Sequence, residues 1–297
     1  MLFLKVKEAH IMKWTDWKQI EEYNFTDILY EKKYHQELEG GVARVTINRP
    51  DKLNAFTNHT MNEMFHAFYD ASHDQTIGII VLTGSGNKAF CTGGDIEWEE
   101  KGLREQVYWK YPPIQIIRMS RKPVIAAVKG WCMGMGNSLA YFSDFTIAAD
   151  NAVFAQGGPR VASPIDGYIV AYLTRVVGTK KAREIYMLCR RYTAKEALEM
   201  QLVNTVIPIE KMDEEVDKWC TEILALSPGC IEILKASFDM EIDYMASSCG
   251  QLSRLMYPDW FASPEAREGS RAFLEKRKPA FWKIRKAELE ARGKNDF

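Results

Sequence analysis

Apolar positions along the chain follow two different periods. The segments "IGIIVLTGSG", "KPVIAAVKG" and "FTIAADNAVFA" are short and almost continuously apolar, which predicts strands buried on both faces. The segment "TNHTMNEMFHAFYDASHD" places Met61, Met64, Phe65, Phe68 and Tyr69 at helical spacing, which predicts a helix with one face in the core. This alternation of strands and helices predicts an α/β core.

The two ends of the chain differ from this centre. Segment 27–50, "DILYEKKYHQELEGGVARVTINRP", contains two strand-like runs joined at Gly40 and Gly41, which predicts a hairpin. From "TKKAREIYMLCRR" onward the pattern is mainly helical. We therefore divide the chain into an extension at 1–25 (a strap or a short helix), a core at 26–210 and a helical C-terminal region at 211–297.

Composition narrows the class of protein. The 297 residues are 46% hydrophobic and 27% charged, with a net charge of -1, so no electrostatic argument favours a nucleic-acid partner. No apolar run reaches the ~20 residues of a membrane span, and the lysines of "MLFLKVKEAHIMKW" do not suit a secretion signal. The 6 cysteines are scattered and are expected to be reduced and buried. We expect a cytoplasmic protein.

Several kinds of active site are disfavoured. All 5 histidines lie between His10 and His73, far in sequence from the glycine-rich centre, which disfavours a Ser–His–acid hydrolase. Metal-ligand spacing of histidine or cysteine is absent from the sequence, and no metal is expected. No GxGxxG or GxxxxGK motif follows a predicted strand, which disfavours dinucleotide and P-loop sites.

The glycine-rich centre is the candidate site. It reads "GWCMGMGNSLAYFSDFTIAAD" and spans Gly130 to Asp150. A glycine turn that leads into a helix exposes unpaired N–H groups at the positive end of the helix dipole, where an anion binds. A tight strand–helix turn without a ligand is the alternative interpretation.

Several segments together resemble the crotonase (enoyl-CoA hydratase/isomerase) superfamily. They are "INRPDKLNAF", "LTGSGNKAFCTGGDI", "KPVIAAVKGWCMGMGNSLAYFSDFTIAADNAVFAQ", "TAKEALEMQLVNTVIP" and "REGSRAFLEKRKPAF". The resemblance covers about residues 26–285. It implies a crotonase (ClpP-like) fold of repeated ββα units, followed by a helical region that mediates homotrimers, often paired into hexamers.

The resemblance also implies the chemistry and the binding residues. Members stabilise a thioester enolate with two backbone N–H donors, which here are those of Gly94 and Met135, the latter replacing a common glycine. Coenzyme A enters as part of the substrate, and no tightly bound cofactor is implied. The residues that the resemblance assigns to CoA are Lys52, Asn54, Ala55, Cys91, Thr92, Gly93, Asp95, Ile96, Phe273 and Lys276. Plain solvated charge is the alternative for the lysines.

Two positions depart from the simple hydratases. The glutamates that manage water there correspond to Ser138 and Gly158, which cannot perform the same acid–base work. Gln156 and Gly158 instead match two other branches, the ring-opening 2-ketocyclohexanecarboxyl-CoA hydrolases and the ring-closing 1,4-dihydroxy-2-naphthoyl-CoA synthases. In some synthases this position holds a bicarbonate that acts as base. Tyr186 replaces a tryptophan usual beside that ion, which weakens the case for bicarbonate.

Three further residues are assigned by the same resemblance. Ser163 matches a serine of both branches, and Tyr257 matches a tyrosine that reaches the acyl site. The branch aspartate aligns with Ile165, so Asp166 either returns the carboxylate through a shifted loop or is a turn residue beside Gly167.

The leading hypothesis is therefore a hydrolase that opens the ring of a cyclic β-oxoacyl-CoA in aromatic or alicyclic acid degradation. Water is activated by Asp166 or a bound ion. Three alternatives stay open: a naphthoate synthase, a cyclic dienoyl-CoA hydratase or isomerase, and a non-catalytic CoA-binding subunit. The loop after Gly94 lacks the glycine-rich stretch of the synthase, and its aromatic residues suit either a bulky ring or ordinary packing: Trp98, Tyr108, Trp109 and Tyr111.

Overall fold

The computed structural model describes residues 14–101, 112–248, 256–257 and 259–292. The predicted hairpin is present: β2 (Ile28–Tyr34) and β3 (Gly41–Ile47) run antiparallel, with Tyr34 opposite Gly41. A short β1 (Lys18–Gln19) pairs with β2, and Trp14 bridges to His35. The short-helix alternative for the N-terminal extension is therefore wrong for residues 14–19, which lie along the edge of the sheet and extend it by backbone pairing.

The larger sheet has 7 strands in the order β1-β2-β3-β4-β6-β8-β11. From β3 onward its strands are parallel, the later ones being β4 (Ile77–Gly84), β6 (Val124–Val128), β8 (Phe145–Ala149) and β11 (Thr205–Ile207). Alternate residues of β4 and β6 enter two different hydrophobic clusters. Both faces of these strands are covered, which is why the sequence shows continuous apolar runs.

The second sheet has 4 strands in the order β10-β9-β7-β5. Its strands are β5 (Ala89–Cys91), β7 (Trp131–Met133), β9 (Val153–Ala155) and β10 (Arg191–Thr193). Strands β5, β7 and β9 each follow directly on a strand of the larger sheet. A helix comes after each such pair, so the expected ββα repeat is confirmed.

Helices cover both faces of the larger sheet. Helices α1 (Asn58–His73) and α4 (Met135–Phe142) pack on one face, and α8 (Met212–Leu224) packs on the other. The other helices of this part of the chain are α2 (Ile96–Glu100), α3 (Pro113–Arg118), α5 (Tyr168–Val177), α6 (Thr179–Leu188) and α7 (Ala194–Glu199). Helix α1 begins at a capping box between Thr57 and Thr60, and it buries Met61, Met64 and Phe68. Each such side chain contributes about 1.5–3 kcal/mol to folding. Tyr69, predicted in the same stripe, is exposed.

The C-terminal region is helical as expected, with α9 (Pro228–Ser248), α10 (Pro264–Leu274) and α11 (Phe281–Arg292). Helix α9 exposes Ile233, Phe238 and Tyr244, an apolar surface of the kind that oligomers cover. Trimer formation and the boundaries at 25 and 210 stay predictions. None of the helices in the described ranges is long and apolar enough to cross a bilayer.

The cysteines of the described residues follow the prediction with one exception, and Cys249 lies outside those residues. Cys91, Cys132, Cys189 and Cys220 are reduced and buried. Cys230 is reduced but exposed, because it lies in the first turn of α9, the helix with the open apolar surface. The expectation that every cysteine is buried is therefore wrong for Cys230.

Candidate active site

The glycine-rich turn brings α4 against strand β5. Gly134 has φ 56° and precedes the first residue of α4, a conformation that disfavours side chains. A Cβ on Gly136 would collide with the carbonyl of Cys91. Close approach of the two backbones is thus the reason for these glycines, and it fixes the start of α4 beside the turn that follows β5.

Two backbone amides meet at this junction. Phe56 N donates to Gly93 O at 2.9 Å, and Asp95 N donates to Phe56 O at 2.9 Å, so the bonds pass on either side of Gly94. A Cβ on Gly93 would lie 3.2 Å from the Met135 nitrogen. Within the described residues, neither Gly94 N nor Met135 N donates a hydrogen bond. Neighbouring free donors at a helix start are suited to stabilise an oxyanion.

Asp95 holds this turn in place. Its Oδ1 accepts from Glu97 N at 3.1 Å and from Trp98 N at 3.2 Å, so it caps α2. Its Oδ2 accepts from Arg49 Nη2 at 3.1 Å. Arg49 also donates to Ala55 O and was not among the predicted site residues. The buried Asp95 therefore supports the turn with its side chain, and its contact with CoA stays a prediction.

The predicted CoA residues of the first loop and of β5 differ in where their side chains lie. Those of Asn54, Cys91 and Thr92 contact the protein itself, whereas that of Lys52 lies at the surface. Asn54 is fully buried and donates to Ser85 O at 3.0 Å and Ala89 O at 2.8 Å, so its side chain fastens loops together. The Cys91 thiol is buried, which raises its pKa to about 12. Thr92 Oγ1 donates to Leu53 O at 3.2 Å. Lys52 is half exposed and pairs with Glu97 at 2.8 Å, and that hydrogen bond raises the pKa of the Lys52 amine.

The other predicted CoA residues lie on or just after α10. Phe273 is exposed near the end of that helix, and Lys276 follows with φ 54°. Helix α10 lies against α2, where Ser270 hydrogen-bonds to Glu100 and Arg271 Nε contacts Glu100 Oε1 at 3.1 Å. Phe273 and Lys276 are thereby positioned by the packing of α10 on α2. Their contact with the CoA of the same or a neighbouring subunit stays a prediction.

Glu99 is the site residue that the sequence interpretation missed. A Cβ on Gly94 would collide with Glu99 Oε1, so this carboxylate lies directly over the Gly94 α-carbon. Its other oxygen accepts from Ser163 Oγ at 3.3 Å. Glu99 and Ser163 also line a cavity of about 260 Å³ between α2, residues 161–163 and α10. The arrangement places a carboxylate between a free amide pair and a cavity.

The positions of the two hydratase glutamates are closed to carboxylates. Ser138 is completely buried, and its Oγ donates to Gly134 O at 3.4 Å. A Cβ on Gly158 would lie 2.6 Å from Ser163 O. Gly158 O accepts from Ser163 N at 3.0 Å, so the loop closes on itself at the place where a longer side chain would begin.

Gly158→Ala is expected to lower the free energy of unfolding by about 1–3 kcal/mol, because the new methyl group overlaps a backbone oxygen. Thermal unfolding of both proteins measures the change. Gly157→Ala is the matched control, since its Cβ would meet nothing within 4 Å. Equal melting temperatures for the two variants would contradict the close packing at Gly158.

A buried polar cluster occupies the predicted bicarbonate position. Gln156 Nε2 donates to Ser138 Oγ at 3.5 Å, and the hydroxyls of Tyr141 and Tyr186 are 2.8 Å apart. Burial raises the pKa of Tyr186 to about 12, so its hydroxyl stays neutral. Gln156 Oε1 has no partner among the described residues. A spare acceptor suits a hydrogen-bond donor such as water, and a bicarbonate at this position stays a prediction.

The remaining predicted residues are not among those that line the cavity, and some lie outside the described part of the chain. Asp166 is partly buried at the turn before α5. Tyr257 is 48% exposed and meets Trp260 edge-on at 5.5 Å, and Trp260 Nε1 donates to Ala162 O at 2.9 Å. Trp98 is partly buried, whereas Tyr108, Trp109 and Tyr111 fall outside the described residues. Roles for Asp166 and Tyr257 stay predictions.

Several known proteins are similar to this chain in sequence and in architecture. A sequence model of the enoyl-CoA hydratase/isomerase family matches residues 37–284. An enoyl-CoA hydratase from Mycobacterium avium subsp. paratuberculosis K-10 is 28% identical with a TM-score of 0.68, covering 82% of this chain and 95% of that one. Methylmalonyl-CoA decarboxylase in complex with 2-nitronate-propionyl-CoA is 27% identical with a TM-score of 0.73, covering 81% and 94%. An enoyl-CoA hydratase from Bacillus anthracis is 26% identical with a TM-score of 0.65, covering 86% and 99%.

Proposed function

Because this chain belongs to the enoyl-CoA hydratase/isomerase family of the crotonase superfamily, we propose that it opens the ring of a cyclic β-oxoacyl-CoA by adding water. As a member of this family, the protein is an enzyme that processes an acyl-CoA. The ring-opening reaction rests mainly on one observation. A carboxylate, Glu99, lies over Gly94, whereas the two positions that serve alkene hydration are filled by Ser138 and Gly158.

The proposed reaction begins at the ring ketone. Glu99 removes a proton from water, and the water oxygen forms a bond to the ketone carbon. Tyr257 donates a hydrogen bond to the ketone oxygen as negative charge develops on it, and the Ser163 hydroxyl turns from Glu99 to the same oxygen once Glu99 has taken the proton. We prefer Glu99 to Asp166 as the base because Glu99 combines contact with Ser163 and approach to Gly94.

The carbon–carbon bond breaks in the second step. The bond between the ketone carbon and the α-carbon releases its electron pair into the thioester, and the resulting enolate oxygen accepts from Gly94 N and Met135 N. The α-carbon then takes the proton held by Glu99. One water is consumed, and the product is a dicarboxylic acid that carries CoA on one end.

One structural relative supports a thioester enolate as the intermediate, whereas the other two that are described above are enoyl-CoA hydratases. The decarboxylase relative is described with a nitronate ligand. A nitronate holds its negative charge on oxygens beside a planar carbon, as a thioester enolate does. Decarboxylation and hydrolytic ring opening both break a bond to the α-carbon and leave that enolate, so one pair of amides would serve either reaction.

The test is mass spectrometry of products formed from 2-oxocyclohexanecarboxyl-CoA in H₂¹⁸O. We expect a product heavier by one water, with ¹⁸O in a new carboxylate. Unchanged substrate under conditions where the protein binds CoA thioesters would overturn monocyclic ring opening. Loss of water from o-succinylbenzoyl-CoA would support the synthase instead.

A homotrimer or homohexamer is part of the proposal. The exposed apolar side chains of α9 include Phe238 at 74% and Tyr244 at 76% exposure. Covering such a surface with a second copy would remove it from water. Sedimentation of the purified protein distinguishes these states from a monomer.

A further inference from the structure

The cavity beside Glu99 carries an arginine that the proposed reaction does not use. Helix α10 forms one wall, and it is fixed there because Gly269 packs on Ala162, where a Cβ would lie 2.7 Å from the Ala162 Cβ. Ser270 and Arg271 both contact Glu100 of α2. Arg267 precedes them by three and four positions, so it lies on the same helix face, and it lines the cavity.

The basic side chains that line the cavity are paired with carboxylates of the described residues, except that of Arg267. Arg271 pairs with Glu100 at 3.1 Å, and Lys101 pairs with Glu97 at 3.4 Å. Glu99 is directed toward Ser163 and Gly94. In the described part of the chain, no carboxylate pairs with the guanidinium of Arg267. The cavity therefore has one uncompensated cation on α10, opposite the carboxylate of α2.

We propose that Arg267 binds the carboxylate at the end of the opened acyl group, so that the product, an acyl-CoA with a second, terminal acid, is bound more tightly than a monocarboxylic acyl-CoA of the same length. This inference rests on the proposed function, because ring opening creates such a carboxylate at the former ketone carbon. Glu99 repels an anion formed beside it, and a guanidinium across the cavity offers that anion a charge-assisted hydrogen bond. The new carboxylate thus moves from Glu99 to Arg267 as the opened chain extends.

Binding of paired thioesters tests the inference without turnover. Glutaryl-, adipyl-, pimelyl- and suberyl-CoA are compared with monocarboxylic acyl-CoAs of the same length by calorimetric titration. We expect one length of diacid to bind at least about tenfold more tightly than its monoacid partner, the usual scale of one charge-assisted hydrogen bond. Arg267→Gln is expected to remove that difference and to leave free CoA binding unchanged.

Arg183→Gln is the matched control, since Arg183 is exposed on α6 and is not part of the cavity lining. It is expected to keep the diacid preference. Equal binding of diacid and monoacid at every length by the unaltered protein would overturn the inference. So would an Arg267→Gln protein that loses affinity for free CoA, since the arginine would then bind a CoA phosphate. A retained diacid preference with no ¹⁸O incorporation would separate this inference from the ring-opening reaction, which alone would fail.

Discussion

Glu99→Gln is expected to lower kcat for ring opening by about 100- to 10,000-fold, the range that a positioned acid–base group contributes. The amide keeps the size of the side chain and can still accept from Ser163, as the carboxylate does at 3.3 Å. It cannot take a proton from water. KM is expected to change little, because Glu99 acts on the reacting atoms and the CoA portion supplies most of the binding.

Glu97→Gln provides the control on the same short helix. Glu97 is half exposed and pairs with Lys52 on the surface, so its replacement is expected to leave kcat within a factor of about two, a change worth under 1 kcal/mol. Steady-state kinetics with ¹⁸O product analysis measures both variants. A Glu99→Gln enzyme with kcat close to that of the unaltered protein would remove Glu99 from the mechanism.

Met135→Pro is expected to lower kcat by about 100- to 1,000-fold, the loss measured when one oxyanion donor is removed. Met135 is the first residue of α4, preceded by Gly134. Proline is well tolerated at a first helical position, where it removes the N–H together with the methionine side chain. The substitution therefore deletes the proposed donor while the helix is retained.

Met135→Ala separates the backbone from the side chain. It keeps the N–H and removes only the thioether, so its kcat is expected to remain close to that of the unaltered protein if the amide is what matters. Circular dichroism and thermal unfolding verify that both variants are folded. Equal loss of activity in the two variants would assign the effect to the methionine side chain in the acyl pocket and contradict the amide role.

The arrangement of strands was predictable because local pattern and burial agree. Continuous apolar runs gave β4, β6 and β8, and a glycine pair gave the hairpin of β2 and β3. Residues 14–19 were not recognised as part of the sheet, since their pairing with β2 depends on a partner that is distant in sequence. Pairing of this kind at the edge of a sheet produces no periodic pattern of apolar residues in the sequence.

The candidate site was only partly predictable. The family motif pointed to Gly94 and Met135, whose backbones lie at one junction. The Asn54 side chain is bonded inside the loops, so the predicted contact of Asn54 with CoA is left to its backbone. Glu99 follows the capping Asp95 by four residues, and helical side chains lean toward the N-terminus of their helix. That spacing was the available signal for a carboxylate over Gly94. The position of Arg267 depends on how α10 packs on α2, which no local pattern specifies.

The closed loop at Gly158 limits which activities this protein can gain by substitution. The carbonyl of Ser163 occupies the space next to the Gly158 α-carbon. A single substitution to glutamate would therefore displace the backbone of the loop and would not place the carboxylate where it could act. Alkene hydration with an acid at this position would require the segment 158–163 to be rebuilt first. A redesign of this protein toward hydration therefore has to begin with the backbone of that loop and only afterwards with the identity of residue 158.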